Sequence, residues 1–520
     1  MPAKLDGKAV TAPPRPSRIL PVPLATLASR ASARPLAPGN TPVSEVVVTG
    51  AALRAQHVLP GDLFAALPGA RAHGADFTAD AVAAGAVAVL TDEAGAARPA
   101  VRDSGLPVLV HPDPRAALGP LASHIYGEPS LALKVLGVTG TSGKTTTSYM
   151  VESGLAAAGH RTGLIGTVET RIAGERLDSA FTTPEAPDLQ ALFAVMLERG
   201  VTHVPMEVSS HALALGRAAG TRFAVGAFTN LSQDHLDFHP DMEDYFRTKA
   251  QLFDGRSAVE VVCVDGDWGR RLVTPETVTV ATTGDAQWTA TDLRTSLSGE
   301  QSFTIHGPEG RTLPATLPIP GTFNVANALL AAAVLHSVGV QDEAIVAGLA
   351  DVRVPGRMER VALGQDFTAV VDYSHKPEAV AVALDAMRAR TDGRVITVLG
   401  CGGDRDTAKR PLMGAEAARR SDLLVVTDDN PRTESPAAIR AAVLAGAESV
   451  PAAQRGEVRD IGDRRRAIAA AVAAARSGDV VVVAGKGHET GQEVAGVVHP
   501  FSDRDELEAA IRERLGTVTG

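Results

Sequence analysis

Cysteine, lysine and long apolar runs are all scarce in this 520-residue sequence. Cys263 and Cys401 are its only cysteines, so a disulfide framework is implausible and a reducing, cytoplasmic compartment is expected. No run reaches about 18 apolar residues, so no transmembrane helix is predicted. The N-terminus is proline-rich and lacks the apolar segment of a signal peptide. The formal net charge of −10 argues against nucleic acid as the main partner.

The overall composition, with 45% hydrophobic and 21% charged residues, is typical of a soluble globular protein. A chain of this length is expected to form about three domains. Lysine contributes only eight of the 50 basic residues. Several of those few lysines lie inside the motifs described below, so each is worth attention.

The order of apolar runs predicts an α/β fold of three domains. Residues 1–42, rich in proline, alanine and arginine without apolar periodicity, predict a disordered tail. An N-terminal domain is predicted over 43–131, a central domain over 132–355 and a C-terminal domain over 356–520. Short apolar strands alternate with helices in the last two, which indicates mostly parallel sheets, the C-terminal one Rossmann-like. Ligands of such sheets bind at the carboxyl ends of the strands.

The stretch VLGVTGTSGKTTTSYM, at 135–150, combines a strand, a glycine-rich turn and a helix start. Such a turn lets backbone N–H groups and the helix dipole hold phosphate, while a lysine adds a mobile cation. The match to the P-loop pattern is imperfect, because Val138 stands where the first glycine is expected. An ordinary strand-to-helix turn is the alternative. The predicted nucleotide contacts are Gly140, Thr141, Ser142, Gly143, Lys144, Thr145 and Thr146.

Two further motifs, MEVSSH at 206–211 and NLSQDHLDFH at 230–239, follow apolar strands of the same domain. Their side chains are expected to converge on the phosphate end of the sheet. Glu207 and His235, with the hydroxyl of Thr145, suit a Mg²⁺ ion that bridges nucleotide phosphates to a second substrate. The alternative is that both side chains make only local hydrogen bonds.

Together these motifs resemble those of the Mur ligases, the ATP-dependent amino-acid-adding enzymes of bacterial cell-wall precursor synthesis. The resemblance continues in order to the C-terminus, through YFRTK at 245–249, PGTFNVANA at 320–328, PGRMER at 355–360, VDYSHKPE at 371–378, GCGGDRD at 400–406, DNPR at 429–432 and AGKGHE at 484–489. It is strongest to the members that add the third residue of the stem peptide to UDP-N-acetylmuramoyl-L-alanyl-D-glutamate.

The resemblance implies an ADP-forming amide ligase that uses ATP and Mg²⁺ and passes through an acyl phosphate. It implies two small-molecule substrates, the UDP-linked dipeptide and diaminopimelate, and a cytoplasmic protein that we expect to be a monomer. It also implies that Lys249 is carbamylated by CO₂, since a bare ammonium repels Mg²⁺ whereas a carbamate is an anion. The alternative for Lys249 is an ordinary surface lysine of a helix.

Binding residues can be carried over only where the motifs match. The resemblance assigns Asn324 and Asn327 to adenine, and Arg357 and Asp372 to the ATP phosphates and ribose. It assigns Thr182, Thr183, Ser210, Arg217 and Lys249 to the UDP-linked substrate. It assigns Arg405, Asp429, Asn430, Pro431, Arg432, Gly485 and Glu489 to diaminopimelate. Asn324 could instead cap a helix, and Arg432 could pair with Glu434. His375, His488 and Lys486 receive no role.

The sequence departs from the family in the first domain, where Leu53-Arg54-Ala55-Gln56 replaces the expected Leu-Asp-Ser-Arg. Contacts to the uridine end must therefore be redistributed, and Gly61, Asp62 and Gly69 can be simple turn residues. Among other functions, an L-lysine-adding ligase and a folylpolyglutamate synthetase-like ligase are the nearest alternatives. A non-catalytic nucleotide-binding scaffold is disfavoured because Lys144, Glu207, His235 and Lys249 are all present.

Overall fold

The structure, a computed structural model, describes residues 14–37, 42–69, 72–177, 182–296 and 299–516. Within these residues the chain divides into two compact units. The first comprises the described parts of Val10–Trp288 and Leu330–Gly348, and the second those of Thr289–Leu329 and Leu349–Gly520. None of the helices described has the length and apolar character needed to cross a membrane.

The first unit begins with a five-stranded sheet of strand order β2-β7-β6-β5-β4. Strands β4 to β7 are parallel, whereas β2 runs antiparallel to β7, and β1 pairs separately with β3. The parallel strands β4 to β7 are buried on both faces, as is usual in a parallel sheet. The elements are β1 (Val22–Pro23), α1 (Leu24–Arg30), β2 (Arg34–Leu36), β3 (Val47–Val48), β4 (Gly50–Ala52), β5 (Asp62–Ala65), α2 (Thr78–Ala83), β6 (Ala88–Thr91), α3 (Glu93–Ala96), α4 (Pro99–Arg102), β7 (Val108–Val110) and α5 (Pro114–Ile125).

Residues 14–37 are not the disordered tail that their composition predicts. Helix α1 buries Leu24 and Leu27 completely in the apolar core of the first sheet, and β2 extends that sheet. The prediction of a disordered segment over 1–42 is therefore wrong here; the rest of it, apart from Pro42, lies outside the described residues. One or two helical turns of apolar residues, in a stretch dominated by proline, alanine and arginine, are too short to show a periodicity.

The central sheet has eight strands in the order β11-β10-β9-β12-β8-β13-β14-β15. It is parallel from β9 to β15, and β10 and β11 add an antiparallel edge. Its elements are β8 (Lys134–Thr139), α6 (Lys144–Ala157), β9 (Gly163–Ile165), β10 (Thr170–Ile172), β11 (Glu175–Leu177), α7 (Ala186–Glu198), β12 (His203–Glu207), α8 (Ser210–Ala214), β13 (Phe223–Phe228), α9 (Met242–Ala250), β14 (Ser257–Cys263), α10 (Asp267–Arg270) and β15 (Val278–Val280). Because β8 lies between β12 and β13, the three loops that carry the predicted motifs leave the same edge of the sheet.

An antiparallel three-stranded sheet follows, with strand order β16-β17-β18. Its strands are β16 (Thr289–Thr295), β17 (Gln301–Gly307) and β18 (Arg311–Leu317), and the helices α11 (Thr322–Ser337) and α12 (Asp342–Asp351) come next. The side chain of Gln301 is buried and donates to the carbonyls of Ile319 and Gly321 at 2.7 and 3.0 Å. These bonds join the sheet to the turn before α11.

The C-terminal sheet has six strands in the order β19-β20-β24-β21-β22-β23. All pairs are parallel except β19 with β20, which confirms the predicted α/β class. The elements are β19 (Glu359–Arg360), β20 (Thr368–Asp372), α13 (Pro377–Arg388), β21 (Val395–Leu399), α14 (Lys409–Arg420), β22 (Leu423–Val426), α15 (Pro436–Ser449), β23 (Glu457–Asp460), α16 (Arg464–Ala474), β24 (Val480–Ala484), β25 (Gly491–Val494), β26 (Val497–Pro500) and α17 (Asp503–Arg514).

The predicted domain boundaries at 131/132 and 355/356 stay predictions. In the first unit, a Cβ on Gly119 of α5 would lie only 2.6 Å from the Cβ of Ala219, and α5 also packs against α7. This close packing places the N-terminal sheet and the central sheet in one compact unit. The second unit contains the antiparallel sheet as well as the C-terminal one.

Candidate active site

The turn between β8 and α6 has the geometry that its sequence predicts. Gly140 and Gly143 adopt φ angles of 142° and 88°, which favour glycine. A Cβ on Gly140 would also lie 1.9 Å from Thr229 Oγ1. Helix α6 then begins at Lys144 without a side-chain cap. A helix start of this kind can hold an anion through its first N–H groups and its dipole.

Lys144 extends its side chain back over this turn. Its Nζ donates to the carbonyls of Gly140 and Thr141, both at 2.9 Å. The ammonium group therefore lies at the turn itself, where a phosphate held by the helix start would meet it. Thr145 and Thr146 follow in the first turn of α6, and both are buried.

The loop after β13 braces the turn from the neighbouring strand. Asn230 accepts a hydrogen bond from Ser142 N at 3.0 Å and donates to Ser142 O at 3.1 Å. Thr229 Oγ1 donates to the same carbonyl at 2.6 Å. Sequence reasoning gave these two residues no role, although their place after a strand next to β8 was a usable signal.

Glu207 ends β12 and is 1% exposed. Its Oε1 accepts hydrogen bonds from Thr145 Oγ1 at 2.9 Å and from Thr167 N at 2.8 Å, and its Oε2 accepts one from Thr167 Oγ1 at 3.0 Å. A carboxylate and a hydroxyl in direct contact are hard oxygen donors of the type that Mg²⁺ binds. Glu207 and Thr145 therefore fit such an ion, and Thr167 is a contact that the motifs did not reveal.

His235 lies in the loop after β13 in a left-handed conformation, with φ of 54°. Its Nε2 is 3.1 Å from Asp234 Oδ2, and its ring is 4.8 Å from that of His211. Within the described ranges no three His, Cys, Asp or Glu side chains form a metal-holding group. The predicted set contains only two side chains of these types, Glu207 and His235.

Lys249, in the last turn of α9, is 1% exposed, so the alternative of a surface lysine is wrong. Its Nζ donates to Gly140 O at 2.8 Å and lies 4.6 Å from the ring centre of Tyr245. Tyr245 Oη is in turn 3.2 Å from Thr141 Oγ1. The fold thus brings this lysine of a distant motif to the nucleotide turn.

Four of the five residues predicted for the UDP-linked substrate, all except Lys249, lie near the end of β12. Thr183 Oγ1 donates to Glu207 O at 2.9 Å, and Thr182 Oγ1 is 3.0 Å from Thr167 Oγ1. Arg217 donates to Thr183 O at 3.4 Å. The hydroxyl of Ser210 is buried and finds no hydrogen-bond partner in the described chain.

Glu185 is a further residue of this region that the motifs did not single out. Its Oε1 is 2.8 Å from Arg217 Nε, and its Oε2 is 3.6 Å from a guanidinium nitrogen of Arg115. Glu185 therefore holds the predicted substrate-binding arginine in place by an ion pair.

Asp62, the first residue of β5, closes the turn that precedes this strand. Its Oδ2 accepts from Leu59 N at 3.0 Å and from Arg15 at 3.1 Å. Burial raises the pKa of the Asp62 carboxyl, and the Arg15 guanidinium opposes that rise. Arg15 lies in the segment that was predicted to be disordered, so sequence reasoning missed it.

Four residues predicted to contact ATP belong to the second unit. Asn324 donates to Pro320 O at 2.7 Å and accepts from Asn327 Nδ2 at 3.1 Å. Helix α11 begins before Asn324, so the alternative in which this residue caps the helix is wrong.

The other two of these four residues lie near the start of β19 and the end of β20. Asp372 accepts hydrogen bonds from the backbone N–H groups of Met358 and Ser374 at 2.7 and 2.9 Å. The Arg357 guanidinium stacks 4.3 Å from the ring centre of Tyr373. Asp372 therefore joins the backbone next to Arg357 to the backbone that follows β20.

Most of the residues predicted for the amino acid form one cluster in the second unit. Asn430 Nδ2 donates to Glu489 Oε2 at 2.8 Å. Lys486 Nζ lies 3.0 Å from the same oxygen and 3.5 Å from Asp429 Oδ1. A Cβ on Gly485 would lie 2.7 Å from Asp429 Oδ2, so only glycine permits this approach.

Arg432 and Pro431 continue the loop, whereas Arg405 is exposed on the loop before α14 and lies outside the hydrogen-bonded cluster. Arg432, with φ of 53°, donates to Gly403 O at 2.6 Å, and its Nε is 3.5 Å from Glu493.

The alternative partner proposed for Arg432 is occupied by another residue. Glu434 pairs with Arg410 through two contacts of 2.7 and 2.9 Å. The alternative that Arg432 pairs with Glu434 is therefore wrong.

Comparison with known proteins decides the family. Three family profiles match consecutive parts of the chain: "Mur ligase family, catalytic domain" over residues 47–126, "Mur ligase middle domain" over 138–335 and "Mur ligase, glutamate ligase domain" over 356–487. The chain belongs to the Mur ligase family. Mur ligases are ATP-dependent, ADP-forming enzymes of peptidoglycan precursor synthesis.

Among curated relatives, the UDP-N-acetylmuramoyl-L-alanyl-D-glutamate--2,6-diaminopimelate ligase of Corynebacterium glutamicum is 56% identical over 462 residues, covering 87% of this chain and 89% of its own. The enzyme of the same name from Streptomyces coelicolor is 54% identical over 511 residues, covering 97% and 99%. A solved structure of a ligase of this name has a TM-score of 0.67 at 30% identity and covers 92% of this chain and 97% of its own. A folylpolyglutamate synthase of Mycobacterium tuberculosis, with a TM-score of 0.57 at 20% identity, shares the fold.

Proposed function

We propose that this Mur ligase joins diaminopimelate to UDP-N-acetylmuramoyl-L-alanyl-D-glutamate, with ATP converted to ADP and phosphate. The observation that carries the proposal is the cluster of buried Asp429 and Asn430 with the half-buried Glu489, together with Arg432 in the same loop. It offers charges of both signs to a ligand that is itself charged at both ends. The relatives at 53–56% identity that bear the diaminopimelate ligase name support the same substrate.

The reaction needs activation because a carboxylate is a poor electrophile. Transfer of the terminal phosphoryl group of ATP to the substrate carboxylate gives an acyl phosphate, and the amine of diaminopimelate then attacks the acyl carbon and releases phosphate. Lys144 stabilises the negative charge that develops on the transferring group, as a preorganised cation in a partly enclosed site does. Thr183, Ser210 and Arg217 orient the UDP-linked substrate beside it.

Mg²⁺ is part of the proposal, with Thr145, Glu207 and His235 as its predicted ligands. Thr145 and Glu207 suit it because their oxygens already touch. When bound, the ion neutralises phosphate charge and acts as a Lewis acid. Glu207 is kept in position by Thr167, whose backbone and side chain donate to both carboxylate oxygens.

Lys249 is proposed to carry a carbamate, the modification that the family resemblance implies. Its burial and its position at the nucleotide turn support a role there. Reaction with CO₂ requires the neutral amine, which becomes an anionic carbamate and loses a proton. The substrate and product are water-soluble nucleotides, so we place the reaction in the cytoplasm, and we propose a monomer, which sedimentation equilibrium tests.

The single test is phosphate release by the purified protein with ATP, the UDP-linked dipeptide and a panel of amino acids. We expect diaminopimelate to support release, L-lysine to support it at least about 10³-fold less well, and Lys144→Ala to abolish it without unfolding the protein. Release with glutamate on a folate acceptor, and none with the UDP-linked dipeptide, would favour the folylpolyglutamate synthetase-like alternative. Equal use of lysine and diaminopimelate would favour the lysine-adding one.

A further inference from the structure

Lys486 is a charged side chain with no exposed surface, and neither the motifs nor the proposed mechanism give it a role. Its Nζ donates to Asn430 Oδ1 at 2.9 Å and to Glu489 Oε2 at 3.0 Å, and lies 3.5 Å from Asp429 Oδ1. An ammonium has three N–H donors, and three oxygens surround this one. A buried cation is tolerated only when it is paired in this way.

The backbone around Lys486 is shaped to let this side chain in. The residue follows β24, which lies in the middle of the sheet between β20 and β21. It is flanked by Gly485 and Gly487, with φ angles of 116° and 54°. A Cβ on Gly487 would lie 2.7 Å from the Tyr373 Cβ. The close approach of Gly485 to Asp429 and that of Gly487 to Tyr373 thus place Lys486 between them, with its side chain in the cluster.

Lys486 determines which way the Asn430 amide faces. Asn430 Oδ1 accepts from Lys486 Nζ at 2.9 Å and from Glu493 N at 3.0 Å. With two donors on the oxygen, the amide nitrogen must face Glu489, to which it donates at 2.8 Å. Without Lys486 the amide would lose one of the three hydrogen bonds that define its orientation.

Lys486 is the main positive charge that acts on Glu489. Burial raises the pKa of Glu489, Lys486 opposes that rise, and the neighbouring Asp429 carboxylate adds to it. Burial also acts to raise the pKa of Asp429, but Lys486 and Arg464 outweigh it, so that pKa lies below its ordinary value. The other charged groups facing the cluster are His375 and Arg432, which act on Asp429, and Glu493, which pairs with Arg432.

We propose that Lys486 is a positioning residue of the amino-acid pocket, which holds Asn430 and Glu489 in the arrangement that accepts the ammonium group of the incoming amino acid. Lys486 does not touch the reacting atoms. It acts through Glu489, which must be ionised and fixed in place to bind a cation, and through Asn430, which must present its amide in one orientation. This assignment rests on the proposed function, since it takes the pocket to be the diaminopimelate site.

The test compares Lys486→Met with the wild type and with Lys134→Met, a lysine of the first unit that is exposed at the start of β8. The KM values for diaminopimelate, ATP and the UDP-linked dipeptide are measured by phosphate release. We expect Lys486→Met to raise the KM for diaminopimelate about tenfold or more, on the scale of one lost charged hydrogen bond. The two other KM values should change less than about twofold, and Lys134→Met should leave all three unchanged.

The pH dependence of the KM for diaminopimelate distinguishes a positioning role of Lys486 from a purely structural one. Glu489 binds an ammonium only when ionised, so affinity is lost as the pH falls through its pKa. Lys486→Met removes a cation that lowers this pKa, so the rise in KM should begin at a higher pH than in the wild type. Lys486→Arg, which keeps the charge, should restore the pH profile in part.

The double variant Lys486→Met/Glu489→Gln controls for a folding defect, because it also removes the charge of the carboxylate that has lost its ammonium partner. It should unfold at a higher temperature than Lys486→Met and still bind diaminopimelate weakly, with the pH dependence of Glu489 gone. An unchanged diaminopimelate KM in folded Lys486→Met, or equal rises in all three KM values, overturns the assignment. A wild type that does not use diaminopimelate overturns the proposed function instead.

Discussion

Lys249 is buried against the nucleotide turn, so removal of its side chain leaves a gap of the shape that a short carboxylate can enter. If the working group is a carbamate, Lys249→Ala should lose about two to three orders of magnitude in phosphate release, the scale of one lost charge-stabilising group. Added formate or acetate should restore part of the rate, whereas Lys134→Ala should behave as the wild type. Unmodified Lys249, by mass spectrometry under conditions that preserve carbamates, together with no rescue, contradicts the modification.

On the proposed function, we expect Arg432 to distinguish diaminopimelate from lysine, which lacks the distal carboxylate of diaminopimelate. A guanidinium can grip that group through two parallel charge-assisted hydrogen bonds. Each is worth roughly 1.5–3 kcal/mol, so discrimination on the order of 10³-fold is expected. Arg432→Ala should lower diaminopimelate use and narrow its advantage over lysine. Competition assays measure both, with the exposed Arg419→Ala of α14 as control; an unchanged preference in Arg432→Ala removes this residue from the specificity.

For single residues, the sequence singled out candidates that lie within motifs and gave no sign of those that make contacts between distant elements. Lys144 and Glu207 stand in local patterns that indicate their chemistry without knowledge of the fold, whereas Lys249 was singled out only by the family resemblance. Thr167 and Glu185 have no such pattern, and only the pairing of strands and loops brings them to Glu207 and Arg217. Such contacts arise from tertiary structure, which spacing along the chain does not encode.

Among the elements, helix α1 shows what a short apolar segment contributes. Leu24 is fully buried in the first sheet, whereas Leu20, four residues earlier, is 86% exposed. Leu24→Ala should lower the free energy of unfolding by about 2–5 kcal/mol, through lost burial and the cavity left behind. Leu20→Ala should change it by no more than about 0.5 kcal/mol. Thermal unfolding of both variants measures this, and equal midpoints would mean that α1 does not pack as described.

The strands were the most predictable elements, because residues buried on both faces form continuous apolar runs. The apolar runs at 395–399 and 480–484 predict two such strands, and β21 (Val395–Leu399) and β24 (Val480–Ala484) have these bounds. The threonine- and serine-rich segment 275–318 alternates in polarity, which predicts antiparallel strands. It is antiparallel only from Thr289 onward, since β15 pairs parallel with β14. Three residues are too few for periodicity to distinguish the two kinds of pairing.

On the scale of the whole molecule, one ion pair links distant parts of the second unit. Arg464 at the start of α16 and Asp503 at the start of α17 make two contacts of 2.7 Å with no exposed surface, and Arg464 also donates to Ala484 O at 2.9 Å. Arg464→Met should destabilise the protein by about 3–5 kcal/mol because it leaves a buried carboxylate unpaired.

The neighbouring residue supplies a matched control for this ion pair. Arg465 is 68% exposed in its side chain and pairs with Glu506, so Arg465→Met should be near neutral. Chemical denaturation compares the two, and the double variant Arg464→Met/Asp503→Leu should recover much of the loss. A loss of stability as large in Arg465→Met would show that burial is not what makes the first pair matter.

The division of the chain into domains was the feature that the sequence indicated least clearly. Alternation of strands and helices predicted the sheets, but the boundary at 131/132 depends on how tightly α5 packs against its neighbours. Gly119 permits an approach to Ala219 that any larger residue would prevent. A single glycine in a helix has no distinctive pattern in the sequence, so close packing of this kind becomes visible only in the structure.

The carbonyl of Gly140 receives hydrogen bonds from two lysine ammonium groups, those of Lys144 and Lys249. Two like charges on one oxygen repel each other, and a carbamate on Lys249 would replace that repulsion by attraction. On the proposed modification, the charge at the nucleotide turn is set by a dissolved gas. The supply of carbon dioxide in the cell then becomes an input to the rate at which its wall is built, alongside the supply of ATP and amino acids.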